Sequence, residues 1–245
     1  TEENPAPSFV LLVGDIQQIP AHSGTSGSHV SDLYYFTYDG AGDLIPDINY
    51  GRFSAQTVAH LENIIEKTLL YEKYEMTDPS YLENAVLVAG MDPSNATKYG
   101  NGAINYIHDF YLNEDNGVNA YMYHYPESGS SEAAIIQNIS DGVAIGNYTA
   151  HCSPSGWADP AFVTNDIAGL QNEEKLGLLI GNCCQSNQFN DSECFGEALL
   201  RVAGKGAIGY IGGSNSTYWD EDYYWATGYG VPTQYPEYED FGNGS

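Results

Sequence analysis

The sequence predicts a layered α/β fold, with a mostly parallel sheet flanked by helices. Short apolar runs recur along the chain, several are continuous rather than alternating, and stretches with helical spacing fall between them. Continuous Val/Ile/Leu-rich runs suit strands covered on both faces, as in parallel sheets. Alternation of such strands with helices is the pattern of a layered α/β domain. In chain order, FVLLVG (9–14) reads as the first strand. Residues 55–74 read as a helix, because Leu61, Ile64, Ile65, Thr68 and Leu69 share one face. AVLVAG (85–90), NAYMYHY (119–125), GVAIGNYTAH (142–151) and LGLLIGN (176–182) follow as strands. Residues 194–203 read as a helix, and GAIGYIGG (206–213) as the last strand.

Composition narrows the function. The 245 residues carry 33 acidic and 7 basic side chains, a net charge of −26. No basic patch large enough to neutralise phosphates can be built from that set, so a general nucleic-acid binder is excluded. An acidic surface suits a soluble extracellular protein. No apolar run approaches the ~18 residues of a membrane span, so no membrane insertion is expected. The chain opens TEENPAPSF, without the basic and apolar regions of an export signal, which is expected to have been removed already. The four cysteines, Cys152, Cys183, Cys184 and Cys194, are too few for a disulfide framework in a chain this long. The adjacent pair Cys183–Cys184 does not have zinc-ligand spacing either. At least one thiol is therefore expected to be kept for its reactivity.

Reactive groups in open α/β sheets collect in the loops past the carboxyl ends of the strands. NYTAH (147–151) ends one apolar strand and IGNCC (180–184) ends the next. If these strands are parallel neighbours, His151 and Cys184 emerge side by side. An imidazole beside a thiol can take its proton and later protonate a leaving amine. The structural alternative is a buried cysteine pair and a satisfied histidine. A strand-end His followed by a strand-end Cys is also the layout of caspase-like peptidases.

Longer motifs carry the resemblance further. LVGD…SDLYY…DG, NYTAH…WADP, IGNCC…QF…CFGE and YIGGSNSTYW-DEDYYW resemble the gingipain family of bacterial cysteine peptidases, and most of all its lysine-specific member. The match runs from about Phe9 to about Trp225. The resemblance implies a caspase-like layered fold with Cys184 as nucleophile, Cys183 as its buried neighbour and His151 as base. It implies that Asp92 orients His151, although Asp92 also suits a turn or helix cap before Pro93. It places the lysine-selecting carboxylate at Asp222, with Thr149, Asn182, Tyr218 and Trp219 lining the slot. The backbone N–H groups of Cys152 and Cys184 would form the oxyanion hole. Calcium is implied as a structural cofactor, held by Asp15, Asp39, Asp43, Asp47 and the carbonyl of Ile45; oxygen-rich loops such as DGAGDLIPD suit that ion. A plain acidic turn is the alternative for that loop.

The sequence departs from the family at defined points. Relatives carry Gly where Cys152 follows the histidine. A cysteine forced into a left-handed conformation there would mis-aim an oxyanion donor, and losing one such donor costs about 100-fold or more in turnover. Cys152 and Cys184, on adjacent strand-end loops, are expected to form a reversible disulfide. Asn95 replaces a Trp of the lysine-specific relative and is expected to loosen one wall of the site. Residues 1–225 are expected to form the catalytic subdomain, and 226–245 a Gly/Pro/Tyr/Asp-rich segment without a closing strand or helix. The family's N-terminal subdomain and immunoglobulin-like domain have no counterpart in this stretch, so other fragments of the same precursor are expected partners. The resemblance implies a secreted or cell-surface bacterial endopeptidase that cleaves proteins and peptides after lysine through a thioester. The alternative is a catalytically impaired relative serving as a calcium- and peptide-binding module.

Overall fold

A computed structural model describes residues 7–238 except 26, 28, 41, 191 and 229. β1 (Phe9–Val13) pairs in parallel with β4 (Asn49–Phe53), and β2 (His22–Ser23) and β3 (Val30–Ser31) form a short antiparallel ribbon between them in sequence. Then follow α1 (Val58–Glu72), β5 (Asn84–Ala89), α2 (Asn101–Phe110), β6 (Asn119–Tyr123), α3 (Glu132–Asp141) and β7 (Ile145–Thr149). A small antiparallel meander, β8 (Cys152–Ser153), β9 (Gly156–Ala158) and β10 (Ala161–Val163), leads into α4 (Thr164–Ile167). The described chain closes with β11 (Gly177–Asn182), α5 (Phe195–Arg201), β12 (Ala207–Gly212) and α6 (Trp219–Thr227).

Five strands form the main sheet in the order β12-β11-β7-β5-β6, all parallel. β5 lies inside the sheet, between β7 and β6, and is covered on both faces, which is why its sequence is continuously apolar. Val86 and Val88 join the large core with Ile135, Ile139, Leu179 and Leu199, while Leu87 and Ala89 pack with Ile104 of α2 on the other side. The chain reverses direction across the sheet between β5 and β7, so their carboxyl ends diverge into a crevice there.

β1 departs from the sequence expectation. It lies outside the main sheet, in the two-stranded β1–β4 layer, with Phe9, Leu11 and Val13 76%, 49% and 43% exposed. A continuous apolar run has strand propensity whatever covers it; coverage is decided by tertiary neighbours. A buried cluster fixes this layer to the main body. Arg201 of α5 donates through Nε to Ser54 O at 2.7 Å and through Nη2 to Glu197 Oε1 at 2.6 Å and Asp15 Oδ2 at 3.1 Å.

Beyond α6 the chain packs back onto α2 as far as it is described. Tyr223 Oη donates to Thr233 O, Asn105 Nδ2 donates to Gln234 O, and the Tyr238 ring lies parallel to Tyr106 at 6.3 Å. Gly102 allows the approach, since a Cβ there would meet Thr233 O at 2.1 Å. Residues 239–245 of the segment expected at 226–245 lie outside the described residues.

Candidate functional site

Asp92, His151 and Cys184 follow the carboxyl ends of β5, β7 and β11, which are consecutive in the sheet. Gly90 N donates to Thr149 O at 3.0 Å and joins the first two loops. No side chain fits at Gly90: a Cβ would lie 2.6 Å from both Ala150 Cβ and Tyr148 Oη. That hydroxyl donates to His151 O at 2.9 Å, and the Tyr148 ring stacks on Trp157 at 4.7 Å. The backbone of His151 is thus held from below by the core.

His151 Nε2 lies 2.8 Å from Asp92 Oδ2. With Nε2–H donated to the carboxylate, Nδ1 carries the ring's free lone pair. Asp92 makes the contacts of both expectations. Besides His151, its carboxylate accepts the N–H groups of Ser94 at 2.8 Å and Asn95 at 2.9 Å, the Asx turn that starts the following helical turn. Burial alone would raise its carboxyl, but the bonds from His151, Ser94 and Asn95 outweigh burial and hold it below the usual carboxylate range. Asn95 also brings its side-chain amide to within 3.4 Å of both Asp92 oxygens, so it braces the acid that orients His151. Trp219 stands edge-on to the imidazole, 5.6 Å between centroids, and Tyr99 supports Trp219 at 5.9 Å.

The cysteines resolve differently from expectation. Cys152 is bonded to Cys183, with Cα atoms 5.4 Å apart, and Cys184 is free. The expected Cys152–Cys184 disulfide is therefore corrected: the side chain opposite Cys152 belongs to the buried member of the pair. Nor is Cys152 strained, since it sits in strand β8 with a negative φ. Ala158 N donates to His151 O, so the next pair, Cys152 opposite Trp157, falls where an antiparallel ladder makes no bonds, and the Cys152 N–H is not used by β9. The Cys184 N–H likewise has no acceptor among the described residues. The left-handed residue at this turn is Gln185, at φ 59°, immediately after Cys184. Cys194 is the second free thiol; burial pushes it up to about 12, which leaves it inert near neutral pH.

Cys184 Sγ makes no hydrogen bond to His151 among the described residues. It rests on Thr217, accepting that residue's N–H at 3.3 Å and lying 3.7 Å from its carbonyl oxygen. Beside it opens a cleft of about 380 Å³, lined by Asn182, Cys183, Thr217, Tyr218, Asp222 and Trp225 among others. Asp222 is 6% exposed and accepts Thr217 Oγ1 at 2.9 Å. Burial pushes its carboxyl up to about 7; the Thr217 hydroxyl pulls the other way, and nearby Glu221 adds to the rise. Asn182 Nδ2 fixes the Asp222 carbonyl at 2.5 Å. Of the residues expected to line the slot, Asp222, Asn182 and Tyr218 do so. Trp219 packs edge-on against His151 and is not among the residues lining this cleft. Thr149 is fully buried beside Asn182 in the sheet, where its hydroxyl accepts from Asn147 at 3.3 Å.

The calcium set is not assembled. The Asp15 carboxylate is paired with Arg201 and bonded to the Ile16 N–H. Asp43 and Asp47 accept backbone N–H groups of their own loop, from Ile45 and Asp39 and from Tyr38 respectively, and the Ile45 side chain is 78% exposed. Among the described residues no three His, Cys, Asp or Glu side chains converge on a metal position. Asp15, Asp39, Asp43, Ile45 and Asp47 therefore do not fit the ion as they stand.

A strand-end carboxylate–histidine pair and a strand-end free thiol on adjacent parallel strands define a caspase-like α/β core of the cysteine-peptidase type. The profile of Peptidase family C25 matches residues 1–242. Lys-gingipain of Porphyromonas gingivalis is 43% identical over 224 residues, 91% of this chain and 13% of that protein. Gingipain R2 of the same species is 29% identical over 197 residues, 80% of this chain and 26% of that protein. A solved protease structure superposes with a TM-score of 0.90 at 40% identity, covering 97% of this chain and 52% of the other. The arginine-specific cysteine proteinase gingipain R superposes with a TM-score of 0.73 at 25% identity, covering 89% and 51%. The chain belongs to peptidase family C25, the gingipain family of cysteine peptidases. It spans about 13% of the length of the Lys-gingipains that it matches.

Proposed function

We propose that this chain carries the catalytic centre of a cysteine endopeptidase that cleaves protein and peptide substrates after lysine. The observation that carries the proposal is the pairing of a free thiol with a desolvated carboxylate. Cys184 and Asp222 both bond to Thr217, and Thr217 and Asp222 line one cleft. A buried carboxylate without a cationic partner is costly, and a P1 ammonium supplies that partner. The likeness to Lys-gingipain supports lysine over arginine.

In this reading Cys184 Sγ attacks the scissile carbonyl carbon and the thiol proton passes to His151 Nδ1. The C–S bond forms as the carbonyl oxygen takes the negative charge, facing the N–H groups of Cys184 and Cys152. His151, held in orientation by Asp92, then protonates the leaving amine and the C–N bond breaks. Water, deprotonated by the same imidazole, hydrolyses the thioester and returns the thiol. Cys184 Sγ bonds to Thr217 and not to His151 among the described residues; catalytic bonds in unliganded sites commonly tighten only on binding.

A secreted or cell-surface setting is part of the proposal. The Cys152–Cys183 bond suits an oxidising compartment, and no helix among the described residues is long and apolar enough to cross a membrane. Other fragments of the same precursor are proposed as partner chains. The test is cleavage of matched peptides differing only in P1 Lys, Arg or Ala, with a Cys184→Ala control. Cutting after Lys alone, absent in the control, is expected. A folded protein that cuts none of the three would instead support the peptide-binding relative without catalysis.

A further inference from the structure

Thr217 touches both ends of the proposed chemistry. Its N–H donates to Cys184 Sγ at 3.3 Å, its carbonyl lies 3.7 Å from the same sulfur, and its hydroxyl lies 3.8 Å away. That hydroxyl donates to Asp222 Oδ2 at 2.9 Å. The sulfur is therefore held by the residue that senses the slot, and not by the histidine meant to take its proton. We propose that Thr217 is a positioning residue that couples occupancy of the lysine slot to release of the Cys184 thiol toward His151. The inference rests on the peptidase reading and adds a specificity device to it.

The hydrogen inventory gives the coupling its direction. A threonine hydroxyl has one hydrogen to donate. It goes to Asp222, which has no other side-chain donor among the described residues, so Thr217 is tied through its hydroxyl to the carboxylate and through its N–H to the sulfur. An incoming ammonium brings three donors to the same carboxylate. Asp222 no longer depends on Thr217, and the segment that parks the thiol is freed. A ligand that fills the cleft without a positive charge lacks this effect, so the wrong P1 residue is penalised in turnover as well as in binding.

The test is the rate at which iodoacetamide alkylates Cys184, with n-butylammonium as the slot probe and n-butanol as its neutral control. In alkylation the S–C bond forms as iodide leaves and the thiol proton passes to His151. Butylammonium is expected to raise the rate about fivefold, the effect of one released hydrogen bond, and butanol is expected to leave it unchanged. Thr217→Ser is expected to keep the response; Thr217→Val and Asp222→Asn are expected to lose it while still alkylating. Buried Cys194 reports folding, because an unfolded variant would label there too. A Thr217→Val protein that responds like the parent would overturn the coupling. So would a parent that ignores butylammonium at concentrations that inhibit lysine-peptide cleavage, and in that case the peptidase reading would stand. A Cys184 that never alkylates would overturn both.

Discussion

At the residue scale, burial of the Asp222 carboxylate costs stability once the group is ionised. Its ordinary value is 3.8 and burial raises it to about 7. Between those pH values the folded state holds a proton that the unfolded chain has released, so this group's contribution to stability falls as pH rises through the window. Asp222→Asn is therefore expected to raise thermal stability by about 2 kcal/mol above pH 7, with the gain vanishing below about pH 4. Calorimetry at two pH values checks this, and the same variant should lose its preference for lysine. In the parent, kcat/KM for lysine peptides should rise through about pH 7 as the empty slot ionises, and an alanine peptide should not show that limb. Asp92, His151 and Cys184 drew attention in the sequence because each follows the apolar run of a main-sheet strand, and Asp222 because it lies in the motif YIGGSNSTYW-DEDYYW, which the structure places on α6. Thr217 was not legible, although it lies inside STYW. A threonine beside an aromatic pair carries no chemical signal until the turn brings it against the sulfur. Asn95 was read as a lost wall because its amide contacts with Asp92 require the Asx turn to be seen. Asn95→Ala keeps the backbone donor to Asp92 and should lower kcat several-fold with little change in KM.

At the scale of elements, the disulfide links the β8 segment that follows His151 to the loop that carries Cys184. It fixes the spacing of the two N–H donors proposed for the oxyanion. The double variant Cys152→Ser/Cys183→Ser should lose about 4 kcal/mol of stability, as expected for a loop closed over a sequence separation of 31. It should also lower kcat more than it raises KM; chemical denaturation and steady-state kinetics separate the two effects. The pairing could not be read from sequence. Cys183 and Cys184 are equally near Cys152 along the chain, and only the turn after β11 decides which sulfur faces it. The strands of the main sheet were legible because β5 and β11 lie inside the sheet and their runs, NAVLVA and GLLIGN, are largely apolar, while β7, IGNYT, buries the polar Asn147 and Thr149 within it. β1 has the same kind of run, FVLLV, yet leaves alternate side chains in solvent. Its pattern reports strand propensity and not coverage.

At the scale of the whole molecule, the β1–β4 layer is fastened to the catalytic sheet through Arg201, which joins α5 to Ser54, Asp15 and Glu197 in a buried cluster. Removing one member of such a cluster leaves uncompensated charge inside the protein. Arg201→Ala is expected to destabilise the fold by about 3–5 kcal/mol, measured by urea unfolding, while surface acids such as Glu114 should tolerate replacement. The acidic surface excluded nucleic-acid partners at the sequence level and suits an extracellular protein. Asp15, expected among the calcium ligands, is paired with Arg201 across the interface between the two layers.

The central claim is that Cys184 is the nucleophile of a lysine-directed site. The most direct test is intact-mass and peptide mapping after treatment with a peptidyl acyloxymethyl ketone bearing P1 lysine, beside its P1 alanine counterpart. The account predicts a single adduct on Cys184, formed by the lysine reagent alone and lost in His151→Ala. An adduct on another residue, or equal labelling by both reagents, would contradict it.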